Sequence, residues 1–192
     1  MDFSFVDGRT LLLIAHIFGV AFGAGGAFIS DIMFFTSIRD KSISETEMKF
    51  LVVGSYCVFI GLGILILSGA GLFFLNMDRY LTSSKFLAKM TIVAIILING
   101  IFLHKTHMPH LKRHIGAHLP SSDEFIRHRP FLLTSGAVSV ISWSFAIILG
   151  VFRGIPFPYT NIMAVYGVVL ILAILVALLL RNVILPVHKE EI

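Results

Sequence analysis

Five histidines recur between positions 104 and 118, as His104, His107, His110, His114 and His118, at spacings of three and four. Imidazoles so spaced share one helical face, and a pair at i, i+4 suits zinc, nickel, copper or iron. A site would need a third or fourth ligand, for which Asp123, Glu124 and His128 follow in the chain. The same residues, together with Lys112, Arg113, Arg127 and Arg129, also read as a polar surface strip that meets anionic lipid. Pro109 either ends a helix or begins a new one. In the second case His110, His114 and His118 form one edge of an amphipathic interfacial helix.

Two further ionisable residues sit inside apolar runs. His16 follows LLLIA and Lys89 follows KFLA, each a few residues into a strongly hydrophobic stretch. A lysine at membrane depth costs about 2.5–3.5 kcal/mol on insertion scales, so it calls for a partner, a role or a short route to the interface. His16 is either a core histidine bonded to a neighbour or a ligand for haem iron or another metal. Asn99, ten residues after Lys89 and near its face, either bonds across helices or lines the same pocket. His16, Lys89 and Asn99 are therefore the candidate cofactor-binding residues, and the five histidines of the ladder are the candidate metal ligands.

These residues are carried by five apolar stretches, at about 10–35, 50–75, 86–103, 131–152 and 162–180. Each reaches the roughly 20 residues that a helix needs to cross a bilayer. The runs are continuous rather than alternating, which favours helices over barrel strands. The expected fold is all-α: a polytopic membrane protein of five transmembrane helices, with a four-helix bundle core and a histidine-rich loop at 104–130. Small residues recur at helical spacing in the first stretch (Gly19, Gly23, Gly26), the second (Gly54, Cys57, Gly61, Ser68, Gly71) and the fourth (Ser135, Ser139, Ser142, Ala146). Such stripes mark close helix contacts, and His16 lies on the first of them. Asp31, the first charge in its run, is expected near the interface.

Composition agrees. Of 192 residues, 57% are hydrophobic and 14% charged, against about 45–50% and about 25% in soluble domains. The net charge of +4 is spread over short loops, which orients a membrane protein and gives no sign of nucleic-acid binding. Ten lysines and arginines fall on the side holding the first loop, the third loop and the C-terminus, against four on the other. That bias predicts that the N-terminus lies outside and the histidine-rich loop in the cytoplasm. Cys57 is the sole cysteine, so no disulfide forms within the chain. The first segment, MDFSFVDGR, lacks the positive charge of a signal peptide. Membrane lipid is the certain partner of such a surface, and the wholly apolar fifth stretch leaves room for a homodimer or a membrane-protein partner.

The stretches LLLIAHIFGVAFGAGG, LILSGAGLF and KFLAKMTIVAIILINGIFLH, with Pro109 after them, resemble the small bacterial membrane proteins of the CopD and HemJ types. The HemJ-type resemblance, to protoporphyrinogen oxidases, implies a haem-associated site in which a first-helix histidine and a third-helix lysine act, here His16 and Lys89. The CopD-type resemblance implies copper handling. Three functions follow as expectations. The first is a haem b or metal protein of redox or haem-handling role, with His16 as ligand and Lys89 steering a carboxylate. The second is transport or sensing of a transition-metal ion, with the ladder as acceptor. The third is an accessory subunit without chemistry of its own.

Overall fold

The computed structural model describes residues 7–39, 43–113, 123–152 and 154–184. Regular structure among them is entirely helical: α1 (Gly8–Arg39), α2 (Glu45–Leu75), α3 (Met77–Leu81), α4 (Ser84–Phe102), a π-helical turn (Leu103–His107), α5 (Met108–Arg113), α6 (Asp123–Val151), α7 (Tyr159–Leu179) and α8 (Arg181–Ile184). Five segments are long and apolar enough to cross a membrane: Gly8–Ser37, Glu45–Leu75, Ser84–Thr106, Ile126–Val151 and Tyr159–Leu179. The protein is a multi-pass, all-α membrane protein.

Several helices run further than apolar length alone predicts, and local chemistry explains where they stop. The second span starts at Glu45 instead of near 50 because Ser44 and Glu47 form a reciprocal cap. The Ser44 hydroxyl accepts from the Glu47 N–H at 3.2 Å, and the Glu47 carboxylate accepts from the Ser44 N–H at 2.8 Å. Such a pair satisfies two donors that a helix start leaves open. The Ser37 hydroxyl also donates to Glu47 at 2.7 Å, which ties the end of α1 to the start of α2. The described parts of the loop expected at 104–130 are helical, while residues 114–122 lie outside the described residues. Residues 103–113 continue the third span as helix, and α6 already begins at Asp123. Pro109 has no N–H to donate, and the π turn just before it changes the hydrogen-bond register, so the helix passes through it.

The interior is filled from all five spans. Ala24 and Ala27 of α1 meet Leu62 and Leu65 of α2, Ala88, Ile92 and Ile96 of α4, Trp143, Ala146 and Leu149 of α6, and Ile162 and Tyr166 of α7. α7 leaves most of its surface open to lipid: Val165, Val168, Leu172 and Leu179 are all exposed. The tightest contact joins α1 to α2. A side chain at Gly61 would run into the Gly23 backbone, and one at Gly26 would meet the Gly54 carbonyl at 3.1 Å. Glycine is required at these points because one backbone lies against the other. On its other side, Gly23 receives the ring of Trp143 from α6.

Replacing Gly61 by leucine forces these backbones apart. Gly61→Leu is expected to lose about 1–3 kcal/mol or more of stability, read as earlier unfolding on denaturant titration in detergent. Gly63→Ala, at a helical position with open space around it, is expected to unfold no earlier than the wild type.

Candidate functional site

Polar side chains inside the bundle form two groups, and α1 supplies one residue to each. His16 and Asp31 are fifteen positions apart, which places them about 22 Å apart along the axis and within about 60° of one another around it. Between them on the inward side lie the buried Ala24 and Ala27.

The group nearer the α1 N-terminus is built on His16. Its Nδ1 lies 2.9 Å from the Ser68 hydroxyl of α2. Ser68 spends its own proton on the Ile64 carbonyl at 2.6 Å, so its oxygen accepts from His16. Assigned from this network, the proton of the neutral ring sits on Nδ1 and the Nε2 lone pair is left open. The ring lies beside Gly69 of α2, at ordinary van der Waals distance from where a side chain there would begin. Lys89 of α4 is half-buried, close enough to act on His16 electrostatically, and its Nζ lies 3.8 Å from where a Gly150 side chain would begin. No acidic side chain pairs with it among the described residues. Lys85, one turn earlier, donates to the Phe152 carbonyl just past the end of α6. The structure therefore brings His16 and Lys89 together and leaves Asn99 out.

The second group surrounds a cavity of about 120 Å³ toward the other end of the bundle. Asp31 lines it, and so do Ser30, Ser55, Asn99, His104 and Ser139 among its polar residues. Ser139 of α6 lies close to Asp31, whose Oδ2 is fully buried and has no hydrogen-bond partner among the described residues. The Ser30 hydroxyl, packed against Gly54 of α2, is likewise buried without a hydrogen-bond partner among the described residues. Asp31, expected from the sequence near the interface, lies within the bundle. Its helix runs six residues further to Ser37 before the span ends, and α6 covers it. Asn99 exchanges two bonds with Ser135: its amide donates to the Ser135 carbonyl at 3.0 Å, and the Ser135 hydroxyl donates to its oxygen at 2.7 Å. His104 lies within 2.9 Å of the Ser55 hydroxyl through Nδ1 and packs edge-on against Phe59. Midway between the two groups, Ser142 bonds Tyr166 of α7 at 2.8 Å.

The ladder is divided by this arrangement. His104 belongs to the cavity wall rather than to a loop. The backbone of His107 and His110 is helical, but their side chains, with His114 and His118, lie outside the described residues. Among the described residues no cluster of three or more His, Cys, Asp or Glu side chains is placed to hold a metal ion. No family model, no curated protein and no solved structure matches this chain.

The assignment at His16 is directly measurable. Histidine ¹⁵N shifts in the purified protein are expected to report the Nδ1–H tautomer for His16, and Ser68→Ala is expected to lose that preference. An Nε2–H ring in the wild type would contradict the network.

Proposed function

We propose that this membrane protein takes up a small cation inside the bilayer at Asp31 and carries or senses it. The observation behind this reading is Asp31, which lines a cavity within a membrane span and whose buried Oδ2 has no hydrogen bond among the described residues. An uncompensated carboxyl group within a membrane helix is costly, and such residues mark ion or substrate pathways. A cation supplies the missing partner. Asn99, Ser55 and His104 provide further polar atoms along the cavity wall toward one end of the bundle. Toward the other end, the ring of Trp143 packed on Gly23 stands between this cavity and the Ser68–His16 pair. A cavity confined to one end of the bundle suits a carrier or sensor better than a continuous pore. The excess of lysine and arginine supports an orientation in a bacterial inner membrane with the cavity end cytoplasmic.

A second reading has one observation in its favour. The open Nε2 of His16, with Nδ1 fixed by Ser68, is how a protein presents an imidazole to a metal. His16 would hold haem iron or a transition-metal ion there, with the unpaired Lys89 meeting a carboxylate, and the bound group would supply redox chemistry. The surroundings favour a single ion over a macrocycle, because Leu65, Ala88, Ile92 and Leu149 fill the interior at this end of the bundle.

Flux measurements separate these readings. In proteoliposomes, proton or monovalent-cation movement dependent on the protein is expected to fall at least tenfold in Asp31→Asn, while the exposed Asp7→Asn leaves it unchanged. Equal flux in wild type and Asp31→Asn, with a Soret band or bound metal that is lost in His16→Ala, would move the function to the other end of the bundle.

A further inference from the structure

The cavity around Asp31 also carries information about what it accepts, given the cation reading above, on which this inference rests. Four aromatic side chains line it: Phe34 and Phe35 of α1, Phe59 of α2 and Trp143 of α6. Its walls are otherwise largely aliphatic, and its polar atoms are mainly acceptors or hydroxyls. A transition-metal ion needs three or four ligands held at once, and the described residues provide no such cluster. A small alkali or alkaline-earth ion needs about six or more oxygens. Among the lining residues is Asp31, whose Oδ2 is buried without a hydrogen-bond partner among the described residues, together with the four aromatic side chains.

That combination matches a different cation. An alkylammonium group brings N–H donors for the carboxyl oxygen, and its positive charge is attracted to aromatic faces. Its hydrocarbon tail takes the aliphatic wall. Size sets the limit: an engineered apolar cavity of about 150 Å³ admits benzene, so about 120 Å³ admits roughly five heavy atoms. We infer that the Asp31 cavity is a binding site for a small primary alkylammonium ion, with the nitrogen at Asp31 and the tail among Phe34, Phe59 and Trp143.

Trp143 is the chain's sole tryptophan and stands in the cavity wall, so its fluorescence reports occupancy. The full-length protein in lipid nanodiscs is titrated with n-butylammonium chloride and, separately, with 1-butanol, which has the same shape and no charge. A saturable emission change is expected with the amine, at a concentration at least tenfold below that needed for the alcohol. Asp31→Asn is expected to weaken the amine at least tenfold and leave the alcohol unchanged. Equal potency of amine and alcohol in the wild-type protein, which needs no variant, would overturn the inference. No response to the amine, alongside cation flux that still depends on Asp31, would overturn the substrate class and leave the cation reading standing. Neither amine binding nor Asp31-dependent flux would overturn both.

Discussion

The backbone contact between α1 and α2 is the constraint on which the rest of the bundle depends. Gly23 and Gly61 allow the two helices to touch main chain to main chain, and Gly26 and Gly54 extend the contact. In lipid there is no hydrophobic drive to bring helices together, so close packing and interhelical hydrogen bonds must supply the attraction. Once α1 is held in this way, the face it turns to α2 and the residues beside it are committed to the interior. That face carries His16, bonded to Ser68 of α2, at one end, and Asp31 borders it at the other. The Ser37–Glu47 bond holds the same pair of helices together at the Asp31 end and keeps α1 helical past the aspartate.

The contact also creates the division between the two polar groups. With no side chain on Gly23, the ring of Trp143 reaches the α1 backbone and fills the middle of the bundle with Leu62, Ile92 and Ala146. Beyond this plug α6 turns its serines inward: Ser139 to Asp31 and Ser135 to Asn99. The serine stripe is therefore two things at once. It permits close helix packing, and it provides hydroxyls that bond some polar atoms of the cavity while leaving Asp31 Oδ2 open.

Much of the fold was legible in the sequence because it rests on patterns that hydropathy and spacing capture. The five spans are long apolar runs, and the glycine and serine stripes point to the faces that touch. The candidate site was less legible. Asp31 reads as the end of an apolar run when only hydropathy is considered. Its burial depends on α1 continuing to Arg39 and on α6 lying over it, which no local pattern states. A clue was present: Ser30–Asp31 falls on the same helical face as His16 and the small residues between them. His104 reads as part of a regular ladder, but the π turn at Leu103–His107 breaks the even spacing and sends it to Ser55. Lys89 and Asn99 share a helical face, yet ten residues of helix separate them by about 15 Å, enough to assign them to different ends of the bundle.

The central claim is that the open oxygen of Asp31 receives a cation within the membrane. Infrared difference spectroscopy with ¹³C-labelled aspartate tests it most directly, on the intact protein in lipid. Adding n-butylammonium, a proton pulse or a divalent metal in turn should shift an aspartate carboxyl band for at least one of them, and that band should vanish in Asp31→Asn. A spectrum that no cation alters, or one that changes equally in Asp31→Asn, would contradict the account.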